Sequence, residues 1–171
     1  MKTFILIIIT LAGCLLIASC CKKLFPDEEL TLQRQDYIGN ELRTEGYYYS
    51  HFETGVTAVL FLYKNGVTLS AGGYLTFDLS EIEKRLSNIK TQKVDWGVFV
   101  VNEDTIRWEK WIGTLRPNAS TITYIGYVEN DTTIRFRETY YKETNETGSI
   151  DETWHFKQFD HKPDSTNDYI Q

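Results

Sequence analysis

The sequence predicts an all-β fold, an eight-stranded antiparallel meander closed into an up-and-down barrel, and three observations predict it. From Glu45 onward the chain consists of runs rich in aromatic and β-branched residues, cut by Gly, Asn and Asp, with no proline inside a run. The connections between the runs are short except for one. Apolar and polar residues alternate along several of them, as in a sheet with one face in water. Eight such strands in sequence order close most economically into a barrel, because closure removes the unpaired edges that invite aggregation. A two-sheet sandwich built from the same strands is the alternative.

The elements follow in order. Residues 20–42 form a polar tether and an ill-defined N-terminal segment, with room for a short helix over 28–36. Strands are predicted at 44–52, 56–64, 67–77, 95–101, 105–112, 121–129, 132–141 and 151–159, so that the barrel domain spans 43–160. In the one long connection, Leu79, Ile82, Leu86 and Ile89 recur at helical spacing. Asp78 with Glu81 forms a capping-box pattern and Phe77 with Ile82 a hydrophobic staple, which predicts a helix over 78–90. The segment 161–171 is a polar tail, expected to fray.

Turn residues predict the registers. Asn65-Gly66 suits a two-residue type I′ turn, which places Leu62 opposite Leu69 and Leu60 opposite Ala71. Residues 100–108 echo residues 128–136, and both predict hairpins with a three-residue loop. The first sets Val100 against Ile106, Val98 against Trp108 and Trp96 against Lys110. The second sets Val128 against Ile134, Gly126 against Phe136, Tyr124 against Glu138 and Ile122 against Tyr140. Thr105, Arg107, Glu109, Thr133, Arg135 and Arg137 then fall on the solvent face.

The N-terminus has the order of an export signal: Lys2, an apolar run from Phe4 to Ile17, then Ala18-Ser19-Cys20. That run is shorter than the roughly 20 residues a spanning helix needs. Leu11-Ala12-Gly13-Cys14 and Ile17-Ala18-Ser19-Cys20 both resemble the lipobox of bacterial lipoproteins. A signal ending at Cys14 would keep only about 7 apolar residues, whereas one ending at Cys20 keeps about 14 and leaves a polar mature start. The resemblance therefore implies a signal peptide over 1–19, a lipid on Cys20, a membrane as partner through that lipid, and a place in the cell envelope, at the outer membrane. An uncleaved anchor or an ordinary secretory signal is the alternative. Cys14, Cys20 and Cys21 are all the cysteines of the chain, so the folded domain has no disulfide available to it.

The chain carries a net charge of −6, with 18 basic and 24 acidic residues. No basic footprint is visible, which argues against a nucleic-acid partner. Size, strand count and Gly46-Tyr47-Tyr48 at the first strand resemble the lipocalin-like, or calycin, barrels, which commonly have Gly, any residue, then Trp at that point. The chain departs from them in having Tyr48 for Trp and a helix at 78–90, and shows no late arginine to stack there.

The registers place Trp96, Trp108, Tyr124, Phe136, Tyr140, Trp154 and Phe156 on the inward face, where they line a lumen for an apolar or carbohydrate ligand or fill a core. Lys110 and Glu138 share that face near one end, and inside a barrel they must pair or contact a ligand; at the rim they would sit in water. The candidate ligand residues are thus Trp96, Trp108, Lys110, Tyr124, Phe136, Glu138 and Trp154. No catalytic residue, metal site or cofactor is expected: Glu152 and His155 have a metal-like spacing, but on a strand they point to opposite faces. Neither a nucleophile elbow nor a phosphate-binding glycine loop occurs.

These features predict a non-enzymatic, lipid-anchored envelope protein that binds a small ligand in its lumen. The alternative is a structural or interaction lipoprotein with a filled core. A hydrolase would require two carboxylates facing each other across an open cleft.

Overall fold

The computed structural model describes residues 26–74, 88–113 and 118–171. Its eight strands are β1 (Gly46–His51), β2 (Thr57–Leu62), β3 (Val67–Tyr74), β4 (Trp96–Asn102), β5 (Thr105–Ile112), β6 (Ser120–Asn130), β7 (Thr133–Tyr141) and β8 (Glu146–Gln158). Every neighbouring pair is antiparallel, and β1 also pairs with β8, so the sheet is a closed barrel in sequence order rather than a sandwich. A short 3-10 turn, Lys93–Asp95, leads into β4. The helix expected at 78–90 falls largely outside the described residues; Asn88 and Ile89 are helical.

Two expected registers are corrected by one residue. At the β2–β3 turn only Gly66 has positive φ, +77°. Gly66 N–H donates to Tyr63 O (2.9 Å) and Tyr63 N–H to Val67 O (3.0 Å), which closes a three-residue loop. Phe61 therefore faces Leu69, and Leu62 faces Thr68. The β4–β5 turn is instead tighter than expected, with only Glu103 and Asp104 between the paired Asn102 and Thr105. Phe99 rather than Val98 faces Trp108, and Gly97 rather than Trp96 faces Lys110. A slip of one residue exchanges the faces, so Trp96 points outward.

The β6–β7 register begins as expected, with Val128 opposite Ile134 and Gly126 opposite Phe136. A bulge at Arg137 then shifts it, and Ile125 faces Glu138 while Tyr124 faces Thr139. Glu138 and Tyr140 are thereby turned to the outside.

The barrel has two cores, one on each side of the sheet. Inside, Tyr48, Leu60, Leu62, Phe99, Ile106, Trp108, Ile134, Phe136 and Trp154 form a continuous cluster together with Leu42, each at most 4% exposed. Burying side chains of this size stabilises by about 1.5–3 kcal/mol apiece. Outside, Tyr47, Val59, Phe61, Val67, Leu69, Trp96 and Trp111 form a second cluster across β1 to β5. Such a sector is apolar on both faces because the chain ends cover it.

The N-terminal segment, residues 26–45, is a strap. It descends the outside of β5, where Glu109 accepts from Thr31 and Leu32, reaches the β2–β3 turn, where Tyr37 N–H donates to Lys64 O (2.6 Å), and continues to β1. There Leu42 enters the inner cluster, and Arg43 N–H donates to Tyr48 Oη, which donates to Asp131 O. This end of the barrel is closed. Arg43 of the strap lies 4.5 Å over the Phe156 ring, and Phe156 meets Tyr48 edge-on.

The C-terminal tail, expected to fray, is docked. Tyr169 and Ile170 pack on the outer cluster, and Tyr169 Oη donates to Thr91 O (2.7 Å). Lys162 Nζ donates to Thr44 O and Leu62 O, lies 4.2 Å over the Tyr63 ring, and is held down to about pH 8 in its pKa by burial.

Candidate functional site

The lumen is graded along its axis. Toward the closed end lie Tyr48, Leu62, Phe99, Ile106 and Ile134; one layer toward the other end, the mouth, where residues 75–87 and 114–117 lie outside the described residues, are Trp108, Tyr124, Phe136 and Trp154. Trp108 stacks on Tyr124 with centroids 4.5 Å apart and planes at 20°. Phe136 and Trp154 meet Trp108 at 5.8 and 5.9 Å. These rings form a floor, and Trp108 is fixed in it because its Nε1–H donates to Thr68 Oγ1 (3.0 Å).

Above the floor polar groups enter among apolar ones such as Ile122, which pairs with Lys110. Lys110, two residues along β5 from Trp108, points inward, and its Nζ donates to Ser70 Oγ (2.5 Å) and sits 5.7 Å from the Trp108 ring centroid. Ser70 Oγ donates in turn to Asp95 O (3.2 Å). Burial pushes the Lys110 amine down to about 8, against an opposing pull from Asp95, whose own carboxyl is raised by burial. Among the described residues, no carboxylate lies within ion-pair distance of Lys110. A cation held in such a place is costly unless something of opposite charge joins it.

Across the lumen on β8, Glu152 sits opposite Phe136 and accepts a hydrogen bond from Trp154 Nε1–H (3.3 Å). Burial raises its pKa, with the Trp154 bond opposing, and its proximity adds to the upward shift that burial gives Tyr124. His155, its neighbour in the metal-like spacing, is exposed on the outer face.

Of the residues the sequence singled out, the barrel gathers Trp108, Lys110, Tyr124, Phe136 and Trp154 in one lumen. Trp96 is excluded: it is fully buried in the outer cluster, and its Nε1–H donates to Lys90 O (2.8 Å). Glu138 is excluded by the bulge at Arg137 and is exposed beside Ile125 and Arg107. Tyr140 also faces out and donates to Asn145 Oδ1. The lumenal acid is instead Glu152. Alternation from Trp154 alone identifies it, since residues two apart on a strand share a face. Ser70 and Thr68 follow only from the corrected β2–β3 register.

The outer face carries crevices of about 650 and 660 Å³ beside the strap. In the first, Lys93 is already paired with Asp27 (2.7 Å) and stacked over Trp111 (4.5 Å), so its charge is spoken for. Among the described residues, no group of three or more His, Cys, Asp or Glu could hold a metal ion, and no helix is long and apolar enough to cross a membrane.

No family model, curated protein or solved structure matches the chain. A closed barrel of this kind is compatible with a ligand-binding or a structural protein, and the side chains of the lumen must distinguish the two.

Proposed function

We propose that this protein is a non-enzymatic lipoprotein of the cell envelope, cleaved before Cys20 and held by lipid on that residue, which binds a small apolar anion in the mouth half of its barrel. The observation that carries the binding site is Lys110. Its amine lies inside the lumen above an aromatic floor, bonded to a neutral hydroxyl and without a carboxylate partner among the described residues. An anionic head on Lys110 with an apolar body on Trp108, Tyr124 and Trp154 satisfies both the charge and the rings. The anchor is supported by the signal pattern and by the confinement of every cysteine to residues 14–21.

A filled barrel that acts through its outer surface is the second reading, favoured by the closed half of the lumen, where Tyr48, Leu60, Phe99, Ile106 and Ile134 are at most 1% exposed. Titration of tryptophan fluorescence with octanoate and octanol separates the two. Lumen binding predicts a saturable response, tighter for octanoate, with that preference lost in Lys110→Met. A linear, non-saturating response to both ligands sinks the binding reading.

A further inference from the structure

The first described residues of the strap are fastened to the mouth end of the barrel, opposite Leu42. Asp27 pairs with Lys93 (2.7 Å) beside the start of β4, and accepts Ala119 N–H (2.8 Å) beside the start of β6. Glu28 N–H donates to Ala119 O (2.9 Å), while its carboxylate accepts Thr121 N–H (2.7 Å). Glu28 O accepts Trp111 Nε1–H (2.7 Å), and Glu29 O accepts Lys142 Nζ (2.8 Å) from the end of β7. Residues 27–29 are therefore tied to several segments that all surround the mouth, on the side of the barrel opposite to Leu42 and Asp131.

We infer that this end of the barrel, the end on which the proposed ligand site lies, faces the lipid bilayer. The inference rests on lipid attachment at Cys20. Pro26 is six residue steps from Cys20, and at most about 3.6 Å per step limits the reach to about 20 Å. The barrel is itself about 20 Å tall, from an eight-residue β5 rising about 3.3 Å per residue at a tilt near 40°. To turn the closed end toward the membrane, the tether would have to run the whole height of the barrel, which consumes its full length. The mouth-down arrangement needs no such extension. It also sets Lys110 and the aromatic floor toward the source of amphiphiles, with the apolar end of the lumen deepest.

The test uses the full-length lipidated chain carrying Cys21→Ser, in vesicles of phosphatidylethanolamine and phosphatidylglycerol that contain an acceptor-labelled lipid. A donor is placed at Glu53→Cys, in the exposed β1–β2 turn at the mouth, or at Ile38→Cys, 93% exposed at the closed end. Energy transfer should place position 53 closer to the bilayer than position 38 by about one barrel height, ~20 Å. A flexible insert of about 30 Gly and Ser residues after Lys23, spanning about 30 Å, should abolish the difference. Equal distances with the native tether, or position 38 the closer, overturn the orientation while the anchor stands. An intact mass without lipid on Cys20 overturns both.

Discussion

Glu109 is where the strap is held most firmly at mid-height, and its removal has a cost that follows from geometry. The residue is 1% exposed although it lies on the outer face of β5. One carboxylate oxygen accepts the backbone N–H of Thr31 (2.7 Å) and of Leu32 (2.6 Å), and both oxygens lie 3.1 Å from Thr31 Oγ1, which donates. Hydrogen bonds to a charged acceptor contribute about 1.5–3 kcal/mol, and a donor left unpaired costs about 1–3 kcal/mol. Glu109→Ala removes the acceptor from two backbone donors, but the strap can lift and rehydrate them, so a loss of about 2–4 kcal/mol is expected. Glu109→Gln keeps one carbonyl oxygen and should lose about half as much. Urea unfolding followed by tryptophan fluorescence measures both, and limited proteolysis should cut residues 28–36 sooner in the variants. If both variants stay within about 0.5 kcal/mol of the parent, as ordinary surface substitutions do, the latch reasoning fails.

Other consequences can be measured on the same footing. Lys110 titrates near 8 when folded against 10.5 when unfolded, so between these values the unfolded chain binds more protons and stability rises with pH. Lys110→Met should therefore be more stable than the parent at pH 7, by at most about 3 kcal/mol less the loss of the Ser70 bond, with the gap closing from pH 8 to 10.5; a gap that does not depend on pH refutes it. Lys162 has the same sign and should contribute a parallel rise in the parent and in Lys110→Met alike. Gly66→Ala sets a side chain at φ +77° against the backbone of Gln35, and should lower stability by about 1–3 kcal/mol and loosen the strap; an unchanged melting temperature would contradict the turn geometry. Phe136→Ala empties the centre of the aromatic floor and should cost about 3–5 kcal/mol by denaturant unfolding.

The strands were legible because their punctuation is local. The runs from Thr57 to Leu62, from Thr105 to Ile112 and from Thr133 to Tyr141 are bounded by turn residues, and all eight expected strands have a counterpart in the barrel. Faces were harder to assign. Alternation reports a face only where one side meets water, and at Trp96-Gly97-Val98-Phe99 both sides are buried, one by the lumen and one by the strap and tail. With that signal silent, register rested on turn length, and Asn65-Gly66 and Glu103-Asp104 each adopted a loop one residue away from expectation. The bulge at Arg137 has no marker in composition, yet it decides that Glu138 lies outside. Lys110 shares the inward face of β5 with Ile106 and Trp108, as the alternation along that strand indicates, although its expected partner Trp96 is replaced by Gly97. The strap and tail could not be recognised from polarity alone, since their attachment uses backbone donors, Glu28, Glu109 and a few apolar side chains such as Leu30 and Ile170.

The most direct test of the lumenal site is the amine signal of Lys110 in protein labelled with ¹⁵N at lysine side chains, followed through a pH titration with and without octanoate. Binding of the anion at Lys110 should shift that signal alone among the lysines and raise its pKa above the value near 8 that burial sets. An unchanged Lys110 resonance in the presence of saturating octanoate would contradict the assignment of the lumen as the binding site.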